Sequence, residues 1–315
     1  MKYMAGKSAK IAVTYIVTIL ATLLIIGGIC FLLLEQVLHP APKEQVLPSI
    51  EPLVSGSEYV PKPEDSRTTL FIYDSEKRMN GTCFVVVRMI ADYRNLAIMP
   101  IPSDTYAKVG GTENSIYEFY RTGGTGKAVS AAESALGIKI DYYLKLDNNS
   151  FEALIDIFGG VDFDIPYNLI YTDSATGDET ILREGQTYLD SDGLRKVFTF
   201  PNYNSGEEYR AKMIGIALTD LVNSNVNSGF SSHIDDYFSV VINSSIETNY
   251  TAYDYAEQSD AMKYVAGSSD RIAQLVTVSG TYNENSLYVL DENFVKAVPE
   301  WLGIGVSYDD IPGLE

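Results

Sequence analysis

The sequence predicts an α/β fold, in which one exoplasmic domain with a central, mostly mixed β-sheet flanked by helices follows a single N-terminal transmembrane helix. Three observations support this prediction. Residues 11–34 contain no charged side chain, short β-branched runs begin after residue 66, and segments with strand and helix periodicity then alternate through the middle of the chain. A chain of 315 residues with 46% hydrophobic residues can also bury a sizeable core.

The uncharged run 11–34 is the predicted membrane anchor, because about 20 apolar residues are enough to span a bilayer. Three lysines precede it and Glu35 follows it, which predicts a cytoplasmic N-terminus over residues 1–10. A cleaved signal peptide is the alternative, but its apolar region is only about 7–15 residues long. We therefore expect a single-pass protein of the cell membrane with its domain outside the cell.

The segment after the anchor, residues 35–66, is rich in proline, with scattered glutamate and lysine. Proline at this density favours extended, poorly packed chain, so this segment is the predicted extracellular linker. The folded domain is predicted over residues 67–303, and residues 304–315 form a C-terminal tail.

Strands open the domain, because its first apolar runs are short and β-branched. They are predicted over residues 68–75, 82–91 and 95–101. After Gly110 and Gly111, apolar residues at helical spacing predict helices over 113–123 and 126–137, and Gly137 ends the second.

Strand and helix patterns continue to alternate along the rest of the domain. Strands are predicted over 141–147, 161–166, 273–280 and 286–291, with a hairpin or extended loop over 169–185. Helices are predicted over 149–160, 209–224, 253–265 and 292–303, and Pro299 interrupts the last of them.

Composition excludes several classes of function. The formal net charge of −19 argues against a nucleic-acid partner, since phosphate backbones are held by clustered lysine and arginine. Two cysteines, Cys30 and Cys83, are too few for a disulfide framework. With only two histidines besides, a zinc or haem site and a histidine-based catalytic triad are also disfavoured.

Four segments carry a resemblance to a known family: LFIYDS (70–75), TCFVVVRM (82–89), MPIPSDTY (99–106) and the long run ALGIKIDYYLKLDNNSFEALIDIFGGVDFDIP (135–166). In this order they resemble the exoplasmic domain of the LytR-CpsA-Psr family of bacterial envelope proteins, over roughly residues 66–303. The resemblance implies an enzyme that moves a glycopolymer from undecaprenyl pyrophosphate onto peptidoglycan. The implied partners are the polyprenyl (pyro)phosphate-linked glycan, peptidoglycan and the membrane.

In the family pattern, two aspartates bind a magnesium ion, arginines hold the pyrophosphate, and the lipid tail lies in an apolar cavity. Asp74 falls at the first aspartate and is the predicted metal ligand, whereas Gly81 falls at the second and weakens the implied Mg²⁺ site. Ser103 falls at the arginine that ends a strand, beside the retained Asp104 and Thr105.

Further along the pattern, Thr199 and Pro201 fall at a pair of family arginines, and Glu207 falls at another. Arg210 is the one arginine position that this sequence retains. Each charge-assisted bond to a phosphate contributes about 1.5–3 kcal/mol, so losing four would weaken pyrophosphate binding by several kcal/mol.

These matches predict Arg210 and Asp104 as catalytic residues. Candidate substrate-binding residues are Ser103, Thr105, Arg195, Lys196 and Lys212, where the last three are the cations that could substitute for missing arginines. Alternatives stay open for three of them: Asp74 could cap a strand end, Asp104 could stabilise its own loop, and Arg210 could pair with Glu207 or Glu208. For the whole protein, an active transferase and a non-catalytic lipid-binding or scaffolding member both remain possible.

Overall fold

A computed structural model describes residues 59–75, 81–172, 177, 179–243, 247–268 and 270–305. The predicted cytoplasmic segment 1–10, the predicted anchor 11–34, most of the linker and the tail from residue 306 lie outside the described residues. Within the described ranges, none of the helices combines the length and hydrophobicity needed to cross a membrane.

The domain is built on a central mixed sheet, as predicted, and the described residues give this sheet six strands. Its strands are β1 (Arg67–Asp74), β2 (Thr82–Ile90), β3 (Asn95–Ile101), β6 (Tyr142–Leu146), β11 (Glu247–Thr248) and β12 (Ala273–Leu275). They lie in the order β11-β6-β1-β2-β3-β12. β2 pairs antiparallel with β1 and β3, whereas β6 runs parallel to β1 and β12 runs parallel to β3.

Four two-stranded ribbons surround this sheet. They pair β4 (Tyr106–Val109) with β5 (Thr112–Ser115), β7 (Val161–Ile165) with β10 (Gly185–Leu189), β8 (Leu169–Thr172) with β9 (Glu179–Leu182), and β13 (Gly280–Tyr282) with β14 (Tyr288–Leu290).

Helices lie on both faces of the sheet. The described α-helices are α1 (Ile116–Leu136), α2 (Asn148–Phe158), α3 (Ser191–Thr199), α4 (Gly206–Asn225), α5 (Ser228–Ser231), α6 (Ile234–Asn243), α7 (Ala252–Ala266) and α8 (Glu292–Trp301). Short 3-10 turns occupy Pro63–Asp65 and Ala91–Tyr93.

Side chains along β1 point alternately to the two faces of the central sheet. Leu70 and Ile72 are fully buried against one core layer, which contains side chains of α1 and α8. Phe71 and Tyr73 point to the opposite face and pack with side chains of α2, α3 and α4. Asp74, which continues the Leu70 side, ends the strand at one edge of the sheet.

The region before Gly137 differs from the sequence prediction. One helix, α1, replaces the two predicted over 113–123 and 126–137, with a break at Gly124, whose φ of 67° and ψ of −162° are non-helical. Residues 112–115 form β5, because they pair with β4 across the Gly110-Gly111 turn. Ser115 then caps α1 by accepting a hydrogen bond from the Glu118 N–H at 3.0 Å.

Candidate functional site

The residues matched to the family's phosphate and metal positions meet at one edge of the sheet. Asp74 ends β1 and lies opposite Thr82, the first residue of β2. The strand β3 pairs with β2, and the loop after β3 contains Ser103, Asp104 and Thr105. Antiparallel pairing of β2 with both neighbours therefore brings the end of β1, the start of β2 and the end of β3 together.

Arg210 reaches this edge from the first turns of α4 and is only 2% exposed. Its Nη1 donates to the Phe198 carbonyl oxygen at 2.8 Å, and its Nη2 donates to the Thr82 carbonyl oxygen at 2.9 Å and the Ser103 hydroxyl at 2.9 Å. Nε and Nη2 also bind the Glu207 carboxylate, with the shortest contact at 2.5 Å. All three guanidinium nitrogens are thus bonded within the protein.

Ser103 and Thr105 are buried in the loop after β3. The Ser103 hydroxyl donates to the Thr82 carbonyl oxygen at 2.8 Å, and the Ser103 carbonyl accepts the Tyr117 N–H at 3.0 Å. The Thr105 N–H donates to the Pro102 carbonyl at 3.0 Å, which closes a tight turn. Both residues are at most 1% exposed, and the Thr105 hydroxyl has no hydrogen-bond partner among the described residues.

Asp74 lies in a second group of polar side chains, on the α1 side of the sheet. One of its carboxylate oxygens accepts the Tyr120 hydroxyl at 2.5 Å. The Lys145 ammonium group lies 5.8 Å from the centre of the Tyr120 ring and 3.1 Å from the Glu247 carboxylate. Glu247 also accepts the Thr125 hydroxyl at 2.7 Å.

Lys145, Tyr120 and Glu247 are site residues that the sequence analysis missed. Lys145 reaches this edge because β6 pairs parallel with β1 and brings it opposite Ile72. That pairing joins segments far apart in the chain, and local patterns do not reveal it. The alternation of DYYLKLD indicated a strand, but nothing local in it indicated which strand would be its neighbour.

An apolar cavity of about 350 Å³ lies on the other face of the sheet. Its floor includes Thr69, Phe71 and Val87, and its walls are formed by α2 and α4 to α7, with Leu154 and Val222 among them. The volume and apolar lining are typical of a site for a hydrophobic ligand.

A row of packed side chains separates this cavity from the edge that holds Asp74. Tyr73 follows Phe71 on the same face, pairs with Cys83 and Leu146, and is buried with both. The Phe151 ring stacks on Tyr73 at a centroid distance of 4.3 Å and meets Phe198 at 5.2 Å. The cavity therefore ends at Tyr73.

The model of the LytR_cpsA_psr family matches residues 53–300. The chain belongs to this family. It is 28% identical over 156 residues to the polyisoprenyl-teichoic acid–peptidoglycan teichoic acid transferase TagU of Bacillus subtilis, and the match covers 49% of each chain. The chain thus spans about half the length of the curated relatives it matches.

Solved structures of other LytR_cpsA_psr proteins share the fold. A Eubacterium siraeum protein described as a transcription regulator superposes with a TM-score of 0.70 at 18% identity, covering 79% of this chain and 95% of that one. Bacillus subtilis TagV superposes with a TM-score of 0.59 at 19% identity, covering 76% and 98%. Identities this low establish the α/β fold with its mixed sheet and nothing about the chemistry.

The magnesium ion implied by the LytR_cpsA_psr resemblance does not fit the described residues around Asp74. Among the described residues, no group of three or more acidic, histidine or cysteine side chains could hold a metal ion. Gly81 supplies no carboxylate, and one oxygen of Asp74 is occupied by Tyr120. Magnesium demands near-octahedral oxygen ligands, so we derive no step through it.

The other three cations predicted for this LytR_cpsA_psr site do not converge on Asp74. Arg195 and Lys196 lie on α3 and form ion pairs with Asp192 of the same helix, with Lys196 at 2.5 Å. Lys212 is exposed on α4, in a separate groove beside Glu208 and Thr277. Among the residues that the structure describes, the edge therefore has few cations that could hold a phosphate.

The pKa of the Asp104 carboxyl is raised above its ordinary value. Burial raises the pKa of its carboxyl from 3.8 to about 6, and the nearby Glu207 carboxylate adds to the rise. The hydrogen bond from Tyr282 and the charge of Arg210 lower the pKa and only partly offset these effects. The carboxyl is thus half protonated near pH 6.

We expect the Asp104→Asn variant to lose a pH dependence of stability that the unchanged protein has. Because the folded-state pKa is raised, the folded protein binds the proton more tightly than the unfolded chain. This contribution is complete below pH 3.8 and disappears as the pH rises through about 6. Denaturant unfolding between pH 4 and 8, followed by the fluorescence of the single tryptophan, Trp301, measures it. Identical pH profiles for the two proteins would contradict the expectation.

Proposed function

We propose that this protein is a membrane-anchored member of cell-envelope assembly that binds a polyprenyl-linked lipid in its apolar cavity and does not transfer a glycopolymer. The observation that carries the proposal is the state of Arg210, the one retained family arginine, whose guanidinium nitrogens are all bonded to groups of the protein itself. A phosphate could bind this guanidinium only by displacing those buried partners.

The charge at the sheet edge also favours binding without transfer. Three carboxylates, those of Asp74, Asp104 and Glu207, belong to the described edge, where Arg210 is already paired with Glu207. A transferring phosphoryl group needs clustered positive charge around its oxygens. The described groups of this edge would instead repel a pyrophosphate.

Family membership supports the envelope setting. TagU, a relative, is named for transferring teichoic acid from a polyisoprenyl carrier to peptidoglycan. We infer that this protein keeps the affinity for a polyprenyl (pyro)phosphate-linked glycan near peptidoglycan. Residues 11–34 would anchor it in the cell membrane with the domain outside.

An active transferase is the second candidate, and Lys145 is the observation that favours it. Its ammonium group lies at the Asp74 edge, with a side chain 31% exposed. Among the described residues, this single cation is already paired with Glu247 and replaces little of the charge of four arginines. A transferase would therefore be weak and would depend on Lys145.

The experiment compares binding and turnover in the same full-length protein. Undecaprenyl phosphate binding is measured by native mass spectrometry from detergent micelles, and glycan transfer to peptidoglycan is measured with and without magnesium. We expect lipid binding that the cavity-blocking variant Leu154→Trp abolishes, and no transfer above the protein-free background. Magnesium-dependent transfer that Lys145→Ala abolishes would overturn the proposal in favour of the transferase.

A further inference from the structure

The strand β12 forms one edge of the central sheet and, among the described strands, pairs only with β3. The Val276 N–H, just after β12, donates to the Ile98 carbonyl oxygen of β3 at 2.8 Å. Neighbouring residues of a strand point their backbone groups to opposite sides. In this parallel register the backbone groups of Ala273 and Leu275 therefore face away from the sheet.

Side-chain and backbone groups of the protein cover both ends of this edge. The Ala273 N–H donates to the Asn223 Oδ1 at 2.9 Å, and the Asn223 Nδ2 donates to the Ala273 carbonyl oxygen at 2.9 Å. The amide of Asn223 thus takes the place of a neighbouring strand. Further along, the Ser279 carbonyl oxygen accepts the Asp291 N–H at 2.9 Å. Natural sheets commonly cover their edges in such ways.

Between the two covered positions the edge is open. Neither Leu275 nor Thr277 has a backbone hydrogen bond to another described residue. Pairing with β3 stops here, because Pro100, the next residue of β3 that faces β12, has no N–H to donate. Two N–H groups and two carbonyl groups are therefore available to an added strand.

A groove runs along the open edge, and α8 forms its other wall. One part, of about 210 Å³, is lined by residues 274–277 and Trp301. A second part, of about 520 Å³, includes Thr277, Asn293 and Trp301 in its lining. Trp301 therefore borders both parts, and it is 45% exposed. A large aromatic side chain beside unpaired strand edge is suited to anchor a residue of a bound peptide.

The α8 wall of the groove is acidic. Asp291 and Glu292 line the groove, and the exposed Glu300 precedes Trp301. Lys296 is the one basic residue in the sequence of this helix, and it pairs with Glu292 at 2.6 Å. Across the groove, residues 272–280 carry no charged side chain. Carboxylates beside an exposed tryptophan favour a cationic side chain, which the face of the indole ring also attracts.

We propose that the open edge of β12 docks an extended, basic segment of a partner protein. This segment adds a strand beside Leu275 and Thr277 and places a lysine or arginine side chain on Trp301. The backbone hydrogen bonds supply the direction of the chain, and Trp301 with the α8 carboxylates supplies the preference for positive charge. The inference is independent of the proposed lipid binding, because the groove and the apolar cavity share no lining residue.

The first experiment selects peptides from a phage-displayed library of random heptapeptides on the full-length protein in detergent micelles. We expect the selected sequences to alternate β-branched residues with lysine or arginine. The chain contains one tryptophan, so a shift of its emission reports binding in the groove directly. Replacing the basic residues of a selected peptide by norleucine should weaken binding about tenfold.

Variants of the protein test the anchor. Trp301→Ala should bind a fluorescently labelled selected peptide about tenfold more weakly, as measured by anisotropy. Tyr253→Ala is the matched control, because it removes an aromatic side chain that is 71% exposed on α7, away from the groove. Its affinity for the peptide should equal that of the wild type. Circular dichroism shows whether each variant is folded.

Modified peptides test strand addition without altering the protein. Each residue of a selected peptide is N-methylated in turn. Only every second N–H of an added strand points at β12, so alternate substitutions should weaken binding at least about tenfold and the others hardly at all. Sensitivity without this alternation would contradict strand addition.

Three further outcomes would overturn the inference. One is that no selected peptide shifts the Trp301 emission, or that Trp301→Ala binds the peptide as the wild type does. Another is that chitotetraose shifts the emission whereas the peptides do not, which would make the groove a saccharide site. The third is a dimer, detected by sedimentation, whose formation alone shifts the emission, which would assign the edge to a second copy of this chain.

Discussion

Replacing Arg210 by methionine is expected to lower the free energy of unfolding by about 3–5 kcal/mol, the cost of breaking a buried ion pair by removing one partner. The Glu207 side chain is only 11% exposed and would be left as an uncompensated buried carboxylate. The carbonyl oxygens of Thr82 and Phe198 would also lose a donor. Denaturant unfolding of the full chain, followed by Trp301 fluorescence, measures the loss.

Two comparisons make this expectation specific. Arg195→Met removes an arginine from the partly exposed pair with Asp192, which should cost at most about 1 kcal/mol. The double variant Arg210→Met with Glu207→Leu should recover part of the loss, because it leaves no buried charge. If Arg210→Met were as stable as Arg195→Met, Arg210 would not be a structural link, and a role in phosphate binding would regain support.

Phe151→Ala should have the second large effect, because its ring closes the cavity towards Asp74. The ring is 2% exposed and contacts both Tyr73 and Phe198, so its removal should cost about 3–5 kcal/mol. It should also extend the cavity towards the Asp74 edge. Calorimetry or denaturant unfolding measures the stability, and native mass spectrometry detects whether longer lipids are retained.

Phe158→Ala is the matched control on the same helix. Phe158 is half-buried, stacks on Phe230 at 5.2 Å and already borders the open cavity. Its removal leaves less new void, so a clearly smaller loss of stability is expected. Equal losses for the two variants would mean that Phe151 is not part of a tightly packed row.

Local patterns predicted the elements with long apolar runs and failed for short ones. The three opening strands, β6 and α2 were predicted within one or two residues, because period-two and period-3.6 alternation is visible in each. The β4–β5 ribbon and the helices α3, α5 and α6 were not predicted. These elements are short or flanked by weak signals, and tertiary packing stabilises them more than local propensity does.

In the candidate site, too, some features follow from residue type alone and others depend on tertiary contacts. The sequence established which family positions keep, lose or reverse their charge: an uncharged serine at 103, a glutamate at 207 and an arginine at 210. It also left open whether Arg210 pairs with Glu207, and that pair is present in the structure at 2.5 Å. The i, i+3 spacing on one helix makes such a pair possible, but its burial depends on β2 and the loop after β3.

The sequence by itself determined the class of fold, the family resemblance and the scarcity of cations at the family's phosphate positions, because these depend on residue type and local order. Only the tertiary structure decided that Arg210 is bonded within the protein, that Lys145 reaches the edge of Asp74, and that an apolar cavity lies between the sheet and α2 and α4 to α7. The physical reason is that each of these features depends on contacts between segments distant in the chain. Pairing of distant strands leaves no local pattern in the sequence.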